Sequence, residues 1–164
     1  MIRHLIAALS LLITFQVPLA GQESGDSLVV RVEGRPVRVL HSADLRALPR
    51  DTVRSTLRHG GGFFRGPLLK DVLRTAGVAM DSVRGPRLAD YVVFEASDGY
   101  RVVFGLSELA DEISGRRMLL ADEKDGEPLP PSIGPWQLIV PGDHYAARWI
   151  HSVTTVTIRR APQP

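Results

Sequence analysis

Apolar and polar residues alternate in short runs along this chain. Leu28 to Glu33 (LVVRVE) has the two-residue period of a half-buried strand. Gly34 breaks the run, and alternation resumes from Arg35 to Leu40 through Val37 and Val39. A hairpin is therefore expected around Glu33-Gly34. Ser42 is placed to cap a short helix over 43–48, which Pro49 ends. Thr52 to Leu57 is a third strand candidate. His59 to Gly66 (HGGGFFRG) reads as a flexible loop, because glycines let backbone approach a ligand closely. Pro67 then suits a first helical position. Leu68, Leu69, Val72, Leu73 and Ala76 recur at helical spacing, and Gly77 supplies a stop.

The second half is richer in strands. Tyr91 to Ala96 and Tyr100 to Phe104 are β-prone runs joined by Ser97-Asp98-Gly99, a strong hairpin signal. Leu106 to Ile113 predicts a short amphipathic helix and Met118 to Ala121 a short strand. Asp122 to Pro131 predicts a polar, turn-rich loop. It lacks the Asp-x-Asp-x-Asp-Gly frame of a calcium loop and reads as a solvated turn. Trp136 to Val140 predicts a strand that Pro141 ends, and Ser152 to Ile158 a last one. Many strands and hairpins with a few short helices predict an α+β domain with mixed sheets.

Length and composition narrow the picture. The chain has 164 residues, 44% of them hydrophobic and 23% charged, which suits one folded domain rather than a disordered chain. It contains no cysteine, which excludes a disulfide scaffold, a thiolate metal site and a Cys nucleophile. The formal charge is only +2 and no dense basic run with interleaved aromatics occurs, so no nucleic-acid partner is expected. At the front, Met1-Ile2-Arg3-His4 precedes the apolar stretch Leu5 to Ala20, and Ala20-Gly21 offers a cleavage point. Residues 1–21 thus read as an export signal, 22–158 as a single domain and 159–164 as a frayed tail. The alternative for the front is an uncleaved anchor, although the stretch is short for a span of ~20 apolar residues. With the signal removed no stable membrane span is expected, and the mature chain is expected in the periplasm or secreted. No twin-arginine pair accompanies Arg3.

The order of motifs resembles a known family. The run Gly66-Pro67-Leu68-Leu69-Lys70-Asp71-Val72-Leu73 leads to Ala76-Gly77-Val78. The hairpin Val93 to Tyr100 follows, then Leu119-Leu120-Ala121 and Gly126-Glu127-Pro128-Leu129. Gly134 to Pro141 (GPWQLIVP) finally leads to Arg148-Trp149-Ile150. This succession is similar to the molybdopterin-binding domain of the sulfite oxidase family of oxidoreductases, over about Leu28 to Ile158. The resemblance implies that family's α+β fold and a molybdopterin cofactor. It also implies a molybdenum ion held by the pterin dithiolene and one protein cysteine, a soft ligand suited to that metal. That cysteine is expected in a segment like Thr56 to Gly60, where Arg58 or His59 stands instead. The chain has no Asn either, and it is short beside the family's catalytic members.

Candidate site residues follow from chemistry and resemblance together. Backbone amides of Gly60, Gly61 and Gly62, with Arg58, His59 and Arg65 around them, form a pattern able to cradle an anion. The alternative is a glycine-rich surface turn. By resemblance Arg148 contacts the phosphate end of the pterin; by its own chemistry it pairs with an acid such as Asp143. Trp149 reads as core filling, and His144 and Tyr145 as residues at a pocket mouth. His59, His144 and His151 match no metal-ligand spacing, and no Gly-x-Ser-x-Gly elbow supports a hydrolase. The expectation is a non-redox module that binds an anionic small molecule or a protein partner, with no cofactor. The alternative is a molybdopterin-dependent oxidoreductase whose metal is held without cysteine.

Overall fold

The computed structural model describes residues 26–57 and 60–162. The expected signal segment 1–21 lies outside the described residues. The first strands are β1 (Ser27–Val32) and β2 (Arg38–His41), antiparallel through a turn in which Gly34 has φ +72°. The hairpin expected at Glu33-Gly34 is therefore present. Leu28 and Val30 of β1 point into the core with no exposure. Helix α1 (Ser42–Arg46) is capped by His41 rather than Ser42, with Asp44 accepting a hydrogen bond from the His41 amide at 2.9 Å. Ser42 is instead buried, and its hydroxyl donates to the Asp26 carbonyl at 2.9 Å.

Strand β3 (Arg50–Ser55) pairs antiparallel with β4 (Gly62–Pro67). The stretch expected to be a flexible loop thus ends five residues earlier, because Gly62 to Gly66 lie in the ladder. Gly66 sits opposite Asp51, and a Cβ there would collide with the Leu120 carbonyl and lie 2.7 Å from Ala121 Cα. The glycine is needed for close approach of two strands. Pro67 ends β4 instead of opening a helix, since extended pairing continues through Leu68, which bridges Leu119. Helix α2 (Leu69–Thr75) follows and buries Leu69, Val72 and Leu73. Gly77, at φ +85°, stops it, with the Val78 amide returning to the Leu73 carbonyl.

After two 3₁₀ turns, Met80–Ser82 and Gly85–Ala89, β5 (Tyr91–Ala96) and β6 (Arg101–Gly105) form the expected hairpin, with Gly99 at φ +85°. The single helix expected over 106–113 is two pieces, a 3₁₀ turn Leu106–Leu109 and helix α3 (Asp111–Ser114), divided at extended Ala110. Strand β7 (Leu119–Ala121) is fully buried. The expected polar loop after it contains the small hairpin β8 (Glu123–Lys124) and β9 (Glu127–Pro128). Asp125 and Gly126 both have positive φ there, the geometry that Asp-Gly supplies to a two-residue turn. Strand β10 (Gln137–Ile139) pairs antiparallel with β7, and β11 (Val153–Arg159) closes the chain. Arg159, expected to begin a frayed tail, still pairs with Tyr91.

The strands make a five-stranded sheet in the order β2-β1-β11-β5-β6, a four-stranded sheet β3-β4-β8-β9, and the pair β10-β7. Among the described residues only β1 and β11 run parallel. One continuous core joins them. It includes Val30, Phe94, Phe104 and Val156 from the large sheet, Leu69 and Leu73 from α2, and Phe64, Leu120 and Leu138 from the smaller ones. Phe94 and Phe104 pack edge to face with centroids 5.8 Å apart. The mixed sheets and short helices agree with the α+β expectation.

Candidate functional site

A groove opens where the end of β3 meets the loop that follows β10. One lobe, of about 410 Å³, is lined by Val53 to Leu57, by Pro141 to His144 and by Trp149. A second lobe, of about 420 Å³, shares Val53, Arg54, Pro141 and Gly142 and extends to Gly115, Arg116 and Arg117. Each lobe falls in the usual size range of a small-molecule site. Trp149 closes the inner end. It is buried, its indole N–H donates to the Val140 carbonyl at 3.0 Å, and its ring meets Phe64 edge to face at 5.5 Å. The core role expected for Trp149 is the one observed.

Charge organises the walls. Arg148 holds Asp143 in a bidentate pair, with Nη2 to Oδ1 at 2.6 Å and Nε to Oδ2 at 2.9 Å, and its Nη1 reaches Glu108 at 3.4 Å. Its guanidinium also lies over the Phe104 ring, 4.5 Å from the centroid. The hydrogen bond to Asp143 outweighs burial and holds the Arg148 pKa above its ordinary value. The acid-pairing alternative for Arg148 is thus the observed one. This pairing fastens the loop carrying Asp143 to the 3₁₀ turn carrying Glu108. Glu108 is itself fixed, since its Oε1 accepts from the Gly105 amide at 3.0 Å.

Arg116 stands beside the same two acids, 3.6 Å from Glu108 and 3.6 Å from Asp143. These distances are too long for hydrogen bonds, and its Nη1 is buried without a hydrogen-bond partner. Arg117 pairs with Asp51. Arg54 is exposed, lies 5.8 Å from the Phe63 ring centroid, and has no carboxylate within 4 Å among the described residues. The groove is thus lined by Arg54, without an acid partner among the described residues, and by Arg116 and Arg117 beside acids of the protein, with exposed His144 at its mouth.

The sequence-predicted residues are distributed unevenly around it. His144 lines the groove and Arg148 braces it from behind. Arg58 and His59 lie outside the described residues. Gly60, Gly61, Gly62 and Arg65 do not line it. A Cβ on Gly61 would lie 2.7 Å from the Leu57 carbonyl oxygen, and one on Gly62 would lie 2.8 Å from the Asp125 carboxylate. The Phe63 amide already donates to Asp125 Oδ1 at 2.8 Å, and Arg65 bonds Glu123 at 3.2 Å. Gly62 thus serves the β4–β8 junction, where Asp125 already occupies the neighbouring Phe63 amide, while Gly61 packs against the Leu57 backbone. Sequence reasoning missed Arg54, Arg116 and Arg117. Their only signal was an Arg-Arg doublet after Gly115 and an Arg on an otherwise ordinary strand.

The donor set divides between the two parts of a molybdenum cofactor. The guanidinium groups that line the groove, Arg54 above all, fit an anionic organic group. The metal's protein ligand is not matched, because the sequence has no cysteine. Among the described residues no cluster of three or more His, Asp or Glu side chains is arranged to hold a metal ion. The residues present therefore do not fit a cysteine-ligated molybdenum.

Comparison with known proteins gives the fold a relative. The structure superposes on the sulfane dehydrogenase SoxCD from Paracoccus pantotrophus with a TM-score of 0.62 at 19% identity, covering 81% of this chain and 38% of that one. At that identity the likeness is one of fold, and this chain spans well under half of the larger protein's length. No curated protein matches significantly. The model of the oxidoreductase molybdopterin-binding domain matches residues 16–164, nearly the whole chain and all the strands described above. On that match, and on a fold shared with a larger dehydrogenase, the chain belongs to the oxidoreductase molybdopterin-binding domain family.

Proposed function

We propose that this chain is an exported, non-redox member of its family that binds an anionic small molecule in the groove between β3 and the loop after β10. The observation that carries the reading is the pairing of an arginine-lined groove with a sequence that has no cysteine ligand for a metal. Arg54, which has no acid partner among the described residues, faces the ligand from the rim, Arg116 and Arg117 add positive charge although each already stands beside acids of the protein, and His144 stands at the entrance. The Arg148–Asp143 pair orients the wall without touching the ligand. A groove built on guanidinium groups favours phosphate or carboxylate over a neutral molecule, and its affinity falls as salt rises. The region Leu5 to Ala20 supports export to the periplasm or the medium. Among the described residues no helix is long and apolar enough to cross a membrane.

The test expresses the full chain with its leader in a host that makes molybdopterin. Molybdenum and released pterin fluorescence are measured on the purified protein. Metal well below one per chain is expected, whereas one molybdenum per chain that accepts electrons from a donor would overturn the non-redox reading in favour of non-cysteine ligation. Binding of inorganic pyrophosphate is then followed by calorimetry. Arg54→Gln and Arg116→Gln should each weaken it about tenfold. Unchanged affinity in both variants, or capture of a protein partner that competes with no anion, removes the groove as the small-molecule site.

A further inference from the structure

We infer that a second, separate site for a small organic oxyanion lies at the end of the large sheet where β1 and β11 finish. A cavity of about 210 Å³ there is lined by residues that share none with the groove. Its apolar wall is Val32, Val78 and Ile158, of which Val78 and Ile158 are buried. Its polar wall is four arginines, Arg35, Arg87, Arg159 and Arg160, against two acids, Glu33 and Asp90. The balance is therefore positive in a concave, partly apolar setting.

The hydrogen bonds show which of these groups remain available. Arg87 is committed: its Nη1 donates to the Ala79 carbonyl at 2.6 Å and to the Ser82 hydroxyl at 3.0 Å, and its Nε faces Asp90 at 3.6 Å. That pairing neutralises Asp90, the buried acid of the cavity. Glu33 accepts from the Arg160 amide at 3.1 Å, so its carboxylate is engaged by backbone. Arg35 uses Nη1 on the Gly77 carbonyl at 2.8 Å, which fixes the guanidinium while leaving its other N–H groups unused. Arg159 and Arg160 have no carboxylate within 4 Å of their side chains among the described residues. Three arginines with open donors thus line the same cavity as the apolar wall. Guanidinium forks match two oxygens of one carboxylate or phosphate, and bind neutral groups far less well.

Size limits the rest of the ligand. A cavity of about 210 Å³ is below the ~300 Å³ at which typical drug-sized sites begin. The structure therefore points to a single oxyanion on a compact apolar body, a carboxylic acid or a phosphate monoester. Val32, Val78 and Ile158 hold the body, and Arg35, Arg159 and Arg160 hold the charge. The fold places this site where the two parallel strands end together. That is why residues from both ends of the chain meet there.

Phenyl phosphate, benzoate and inorganic phosphate serve as probes, with ¹⁵N-labelled full chain observed by NMR. Saturable shifts at the amides of Val32, Ala79 and Ile158 are expected for phenyl phosphate or benzoate, with inorganic phosphate binding more weakly because it lacks the apolar part. Both side chains are exposed, so the double variant Arg159→Gln/Arg160→Gln is expected to fold, and it should weaken binding at least about tenfold. Arg54→Gln, in the groove, should leave it unchanged. Shifts confined to Thr56 and Gly142, or affinity unaltered in the double variant, overturn the second site whatever the fate of the groove. Equal affinity for inorganic phosphate and phenyl phosphate overturns the organic-ligand assignment.

Discussion

The glycine loop leading into β4 and the loop following β10 are both short, polar connections beside a strand end, yet they do opposite work. Where the first enters β4, the backbone turns a hydrogen-bonding group inward. The Phe63 amide meets Asp125, and Gly62 makes room for that carboxylate. In the second, the side chains turn inward to lock the loop, with Arg148 on Asp143, and the face left over lines a groove. The comparison teaches that glycine content reports where backbone must come close, not what it comes close to. A glycine-rich stretch cradles an anion only if its amides lack a partner in the protein itself.

Substitutions separate the two regions, and the largest effect is expected where backbone meets backbone. Gly66→Ala forces a methyl group into the β7 main chain, where neither Leu120 nor Ala121 can yield without breaking the ladder. A loss of about 3 kcal/mol in chemical denaturation is expected, and a loss below ~1 kcal/mol would show that the two strands separate freely.

Next in size is Arg50, which donates to Asp122 at 3.1 Å and to Glu123 at 2.9 Å with little exposure of its side chain. Arg50→Met leaves those acids without their main cation and should cost about 2–3 kcal/mol by the same measurement. Conversely, Arg65→Met removes an exposed pair with Glu123 and should cost less than about 1 kcal/mol. Equal costs for the two would mean that burial does not set the strength of the cluster.

Asp125→Ala sharpens the contrast between the loops directly. It strips the Phe63 amide of its partner and should destabilise the protein by about 1 kcal/mol. If the groove is the anion site, pyrophosphate affinity stays the same, whereas a gain in affinity would return the anion site to the glycine loop.

The smallest effect concerns pH. Burial raises the Asp111 pKa, but the hydrogen bond from Lys70 and the attraction between them prevail and hold it below its ordinary value of 3.8. A carboxyl with a depressed folded pKa stabilises the protein above its unfolded pKa, and loses that contribution as pH falls through the folded value. Asp111→Asn should therefore lower stability at pH 7 by less than about 1 kcal/mol, the pair being partly exposed. The difference from the parent chain should shrink as pH falls below 3.8 and vanish once the carboxyl is protonated in the folded protein, as read from acid denaturation curves. A difference that persists there would assign the cost to packing between α2 and α3.

Strand patterns were legible where one face is buried and the period is two. β1, β5, β6 and β11 alternate, and their hairpins carry Gly34 and Asp98-Gly99 at the turns. β4 was not legible, because Gly62, Gly66 and Pro67 carry the marks of a loop while long-range pairing with β3 and β8 makes them a strand. The broken helix at Ala110 was not legible either, since a helical period says nothing about two short segments meeting at an extended residue. For the site, His144 and the acid partner of Arg148 could be named from the chain. Arg54, Arg116 and Arg117 could not, because nothing local distinguishes an arginine on a groove wall from one on a solvated surface.

The sequence by itself determined the family, the α+β class and the absence of any thiolate to grip a metal. These depend on residue identity and on the order of short local patterns, which are written along the chain. Only the tertiary structure decided which arginines remain available for a ligand and which are neutralised. Availability depends on what stands within 3–4 Å in space, and pairs such as Arg50–Asp122 and Arg148–Glu108 come from segments far apart in the chain.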